Sequence, residues 1–232
     1  MCGKFTAMYS YRQVFDQLDA FYHATGGDGS QEGDREVTYR VMGGLPVLTF
    51  DKEMGVRCIQ PMRWGFPHPN DWRRPQPIHT RSETIETTKA FASAFLDGQR
   101  GIVLMKTFNE APDIEGPTIQ HTINPDEGKP LAAAFIWQKF EIAEQPQPLF
   151  ACVLVTVPAS RLIATLPTDR MPAFLAPEDW GKWLGEESAA MDEVKGCLKT
   201  MEGSAWKMTR EERANSKRPR QKPTASDPKG LF

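Results

Sequence analysis

The sequence predicts a single α+β domain, and three observations carry that prediction. At 232 residues the chain is long enough to bury a core without disulfides or metals. Its apolar, β-branched runs are short and do not alternate regularly with helical segments, which argues against a doubly wound parallel sheet. Hydrophobic residues make up 40% of the chain and charged residues 25%, ordinary values for a globular protein.

The elements follow in order. Residues 10–23, SYRQVFDQLDAFYH, set Val14, Leu18 and Phe21 at helical spacing, and the later GGDGSQEGD reads as a surface loop. Strand-like runs cover Leu45–Phe50, Val56–Phe66, Ile102–Met105, Leu131–Trp137 and Phe150–Val157. Between the second and third, Ser82–Phe95 reads as a helix, with Ser82 as N-cap and Ile85, Ala90, Phe91 and Phe95 toward the core. Pro177, Glu178 and Asp179 before Trp180, Trp183 and Leu184 mark a further helix start, with proline in the first turn and acids at the positive dipole end. From Thr209 the chain loses apolar residues and gains Lys, Arg, Pro and Ser, so the domain is expected over 1–208 and a basic, flexible tail over 209–232. That tail is either solvated or an arm for nucleic acid or a partner.

Formal charge is −2, but it is unevenly spread: seven basic and three acidic residues from Arg210 onward leave +4 there and −6 elsewhere. Local patches must therefore decide the partner. The cysteines Cys2, Cys58, Cys152 and Cys197 form no C-x-x-C pair and no Cys/His cluster, so neither a structural metal nor another cofactor is expected. No apolar run reaches the roughly 18 residues of a membrane span, and the opening MCGKFTAMYS lacks the layout of a signal peptide. A cytoplasmic monomer with reduced thiols is expected.

Cys2 directly follows the initiator Met. Removal of Met1 would put an α-amine and a thiol on adjacent carbons, with reference pKa values of roughly 8 and 8.5. An aldehyde can be captured twice by such a pair, first as an iminium and then as a five-membered thiazolidine. Alternatively the thiol attacks an amide or ester carbonyl, or Cys2 is incidental and Met1 is retained.

The opening MCGKF, Arg63-Trp64-Gly65-Phe66-Pro67, Thr80-Arg81-Ser82-Glu83-Thr84, the Phe108-x-Glu110 pair and Arg170-Met171-Pro172 occur in this order. Together they resemble the SOS response-associated peptidase (SRAP) family of abasic-site processing proteins, from Cys2 to about Leu184. The resemblance implies a twisted β-barrel-like core with flanking helices and a groove for single-stranded DNA. It further implies that the chain removes its own Met1, then crosslinks through Cys2 to the ring-opened aldehyde of an abasic site. Glu110 matches the glutamate that assists the Schiff-base chemistry. Arg81 and Arg170 match phosphate-holding arginines, Trp64 lies in the segment that wedges the DNA, and Lys4 is assigned to the same DNA surface. Arginine's planar fork suits phosphate oxygens and an aromatic face suits an unstacked base. Each residue also has a plainer reading: Arg81 in a helix-start pair, Trp64 in the core, Glu110 as a solvated acid.

The sequence departs from the family pattern at two catalytic positions. His79 stands where the family has an asparagine that orients the Cys, and Thr168 where it has an active-site histidine. A hydroxyl donates a hydrogen bond but does not cycle a proton near neutral pH. Either His79 supplies the imidazole instead, or the site has drifted. Two other readings stay open: a DNA-binding module that forms no adduct, and a class II glutamine amidotransferase, whose mature chain also begins Cys-Gly. The latter would call for an Asn-Gly oxyanion segment that the sequence does not show.

Overall fold

The computed structural model describes residues 3–8, 22–23, 36–111, 119–125, 130–202 and 206–211. The expected helix over 10–23 and the Gly-rich loop after it lie largely outside these residues. In chain order the elements are β1 (Lys4–Met8), β2 (Tyr22–His23), β3 (Glu36–Arg40), β4 (Gly44–Asp51), β5 (Val56–Trp64), β6 (Pro67–His68), β7 (Asp71–Pro75) and β8 (His79–Arg81). There follow α1 (Ala92–Leu96), β9 (Arg100–Met105), β10 (Thr107–Glu110), β11 (His121–Pro125), β12 (Leu131–Phe140), β13 (Leu149–Pro158), β14 (Arg170–Pro172), α2 (Trp180–Leu184), α3 (Met191–Gly196) and β15 (Trp206–Arg210).

The five apolar runs read from the sequence become five neighbouring strands. They run in the order β13, β12, β9, β4, β5, and β5 returns to β13 through a parallel pair, Ala151↔Arg63 and Cys152↔Trp64. The result is a closed five-stranded barrel in a single α+β domain, and closure removes the free edges such apolar strands would otherwise expose. Every residue of β9 is buried. Strands β4 and β9 approach so closely that a Cβ on Gly101 would lie 2.5 Å from Val47 Cγ1 and 2.9 Å from the Leu48 carbonyl oxygen. Gly65, at φ +108°, makes the sharp turn out of β5, a conformation that costs glycine least.

A second, antiparallel sheet runs β15, β11, β10, β1, β3. Lys106 alone separates β9 from β10, so the barrel feeds directly into this sheet. Along β13, β5 and then β8 pair with one edge, and β12 and then β14 with the other. Thr156 is thereby flanked by Arg81 on β8 and Pro172 on β14.

One sequence expectation is corrected. The helix over Ser82–Phe95 is mostly a run of turns, with α1 its only helical part, and Ser82 caps nothing. Ile85, Phe91 and Phe95 are buried as expected, whereas Ala90 is exposed. Threonines 84, 87 and 88 explain the turns: the Thr87 hydroxyl bonds back to the Thr84 carbonyl at 3.2 Å, a local alternative to helical pairing. Described residues continue past 208, where the domain was expected to end. β15 includes Thr209 and Arg210, and Glu211 beyond it accepts hydrogen bonds from Asn109 at 2.6 Å and Thr122 at 2.7 Å and an ion pair from Lys4 at 3.3 Å. The start expected at Pro177 is observed as a 3₁₀ turn over Pro177–Asp179 leading into α2, which buries Trp183 and Leu184.

Candidate active site

Glu110 ends β10 with no exposed surface. β1 pairs with β10 at Phe5↔Phe108 and Thr6↔Thr107, and that register carried back along β1 sets Gly3 opposite Glu110. Cys2 itself lies outside the described residues, one position before Gly3. Burial raises the Glu110 pKa, while the amino-terminal charge of the chain and a hydrogen bond from Thr168 pull the other way. The carboxyl therefore holds its proton to higher pH than a solvated glutamate.

Thr168 precedes β14, and the surrounding wall is built from β8, β13 and β14. His79 lies edge-on to Trp64 with ring centroids 6.4 Å apart. His79, Thr80, Arg81 and Thr156 line an open groove of about 820 Å³ that continues to His68 and Gln76. Arg81 is 63% exposed and its guanidinium stands 3.9 Å from the carboxylate of Asp169. Among the described residues no group of three or more His, Cys, Asp or Glu forms a metal site. Cys58, Cys152 and Cys197 are buried free thiols, and burial pushes the Cys152 thiol up, away from reactivity.

Glu110 is thus a buried carboxyl on the strand beside β1, Arg81 stands exposed on the groove wall, and the wider comparison decides the family. Residues 1–214 match the family described as SOS response associated peptidase (SRAP). The chain belongs to the SRAP family. It is 24% identical to the abasic site processing protein YoaM of Bacillus subtilis over 206 residues, covering 85% of each chain. It is 25% identical to the abasic site processing protein YobE of the same organism over 204 residues, covering 85% of this chain and 88% of that one. Among solved structures, a protein of Bacteroides thetaiotaomicron superposes with TM-score 0.76 at 17% identity, covering 91% of this chain and 93% of that one. A phage-related protein of Bordetella bronchiseptica gives 0.62 at 16% identity over 91% and 95%.

In this SRAP chain three residues expected to contact DNA are engaged with neighbours in the fold. Trp64 has no exposed surface: it packs on Phe5 and Phe135, and its Nε1 donates to the Ile78 carbonyl at 3.2 Å, so it offers no face to a base. Arg170 is 5% exposed and its guanidinium is committed to Glu83, at 2.5 and 2.9 Å, and to the Thr156 carbonyl at 2.5 Å. Lys4 is turned to Glu211. Each of the three has a partner within the fold. The sequence reading also missed the β6–β7 hairpin, where half-buried Trp72 carries the Arg73 guanidinium 4.9 Å above its ring. The signal was present as a Trp-Arg-Arg run after a Pro/Asn turn.

The Arg170 ion pair holds the Glu83 carboxyl down at about 2, against an ordinary value of 4.5. A depressed carboxyl stabilises the fold fully above its unfolded pKa and loses that contribution as pH falls through the folded value. Glu83→Gln is accordingly expected to lower the urea midpoint at neutral pH, with the gap to wild type closing between about pH 4.5 and 2. A gap that persists unchanged at pH 2 would rule out the ion pair as its cause.

Proposed function

We propose that this protein processes abasic sites in single-stranded DNA by trapping their aldehyde on Cys2 as a thiazolidine, after hydrolytic removal of Met1 by the protein itself. The observation that carries the reading is Glu110, a buried carboxyl on β10 opposite the start of β1.

The steps balance through that carboxyl. Glu110 as carboxylate takes a proton from the amino-terminal ammonium, and the free amine adds to the aldehyde carbon to give a carbinolamine. The acid then protonates the carbinolamine hydroxyl, water leaves and an iminium forms. Sulfur attacks the iminium carbon and the thiol proton passes to Glu110. One C–N and one C–S bond form, one water leaves, and one proton remains on Glu110 for release. The Thr168 hydroxyl donates to the Arg170 carbonyl at 3.4 Å and does not cycle protons itself. Exposed Arg81 on the groove wall supplies a phosphate contact.

The test is to incubate Met1-free protein with a single-stranded oligonucleotide carrying one abasic site. A denaturant-resistant product with the summed mass less one water is expected, and it should vanish in Cys2→Ala. Binding without this product would favour the DNA-binding reading, for which Thr168, lacking acid/base capacity, is the supporting observation. Arg81→Ala is expected to weaken DNA binding independently of sequence and to lower the salt slope by about one. An unchanged slope would remove Arg81 from the DNA surface.

A further inference from the structure

Five basic residues, Arg213, Lys217, Arg218, Arg220 and Lys222, stand close together in the sequence with no acidic residue between them. On a chain of formal charge −2, such a run attracts a polyanion wherever it is held. Its function therefore turns on where the fold places its root.

Strand register locates that root. Across the second sheet, Glu110 on β10 stands opposite His121 on β11, and His121 stands opposite Arg210 on β15. On the other side of β10, Gly3 falls opposite Glu110 when the β1 register is carried back. The beginning of β1, the end of β10, the beginning of β11 and the end of β15 thus share one end of the sheet. Neighbouring strands lie about 4.8 Å apart, so the three steps from β1 to β15 cover about 14 Å. The chain leaves β15 at the same end of the sheet at which Cys2 enters β1.

Hydrogen bonds fasten it there. The Glu211 backbone N–H donates to the Gln120 carbonyl at 2.8 Å. Its carboxylate accepts from Asn109 on β10 and Thr122 on β11 and pairs with Lys4 on β1, so residue 211 is tied to all three neighbouring strands. The carboxylate's charge is satisfied inside the fold, and exposed Arg210 stands beside it. The basic run begins two residues further on.

From this placement we infer that residues 213–222 serve as an arm for the phosphates of single-stranded DNA, and that its fixed root directs it to one flank of the lesion. The inference rests on the single-stranded DNA part of the reading above. The root's position beside the start of β1 favours the strand held at Cys2 over a protein partner. Arginine and lysine contacts to phosphate release counterions whatever the base sequence, so the arm adds affinity and no sequence preference.

The experiment compares the full Met1-free chain with a variant in which Arg213, Lys217, Arg218, Arg220 and Lys222 are all replaced by Gln. Binding to an undamaged single-stranded oligonucleotide is followed by fluorescence anisotropy between about 50 and 200 mM salt. At about 0.7 per charge, the variant is expected to lose about three from the salt slope and at least about tenfold in affinity at low salt. An unchanged slope would overturn the arm and leave the run to another partner. Adduct formation at limiting DNA is then measured on a strand with a central abasic site and on strands trimmed on the 5′ or the 3′ side. The ratio of wild-type to variant rate is expected to survive one trim and to fall toward one with the other. A ratio that responds alike to both trims would overturn the fixed root. Absence of any adduct in wild type would overturn aldehyde trapping, whereas the salt slope on undamaged DNA would still decide the arm.

Discussion

Glu110→Gln is expected to slow adduct formation by about a hundredfold or more while leaving the fold in place, because general acid–base groups contribute about 10² to 10⁴. Glutamine keeps the size and hydrogen-bonding reach of the side chain, but it neither takes the proton of the ammonium nor gives one to the departing hydroxyl. Stability should move the opposite way at high pH. Burial raises the Glu110 pKa in the fold, so its contribution is complete below the unfolded value and is lost as pH rises through the folded one. The glutamine variant has no such loss. Wild type and variant should therefore diverge in thermal midpoint on the alkaline side, with the variant the more stable. An adduct rate within a few-fold of wild type would remove Glu110 from the mechanism.

Trp64→Ala should cost about 3–5 kcal/mol, out of a total of about 5–15 for a domain. The ring has no exposed surface and is wedged among Phe5 at 5.5 Å, Phe135 at 6.3 Å and His79 at 6.4 Å, with its Nε1 bonded to Ile78. Truncation leaves a cavity where β1, β5, β8 and β12 meet and orphans a carbonyl. Urea unfolding reads the loss directly, and a cost below about 1 kcal/mol would show that the site collapses around the gap. The same substitution loosens Phe5, three positions from Cys2, so crosslinking should fall along with stability.

The legible part of the fold was the barrel. Its five strands carry the apolar, β-branched runs, and the residues that fill it, such as Ile102, Phe135 and Val153, announce burial by type alone. The second sheet was opaque for the opposite reason. TFNE, HTINP and WKMTR are short and polar, and they become strands only through their neighbours, as when Asn109, Thr122 and Glu211 satisfy one another. Tertiary pairing there outweighs local preference. In the site, Glu110 and Arg81 could be found because motifs mark them. The burial of Trp64 and Arg170 was not legible, because residue type does not reveal whether a partner waits inside the fold.

The Glu211 clamp has a consequence in time. Synthesis proceeds from the amino end, so the barrel strands, complete by Pro158, exist well before Glu211 is added to reach back to Lys4. The strand that follows Cys2 is made first and receives this ion pair last, and a ribosome-bound chain halted before residue 211 should carry β1 without that final tether.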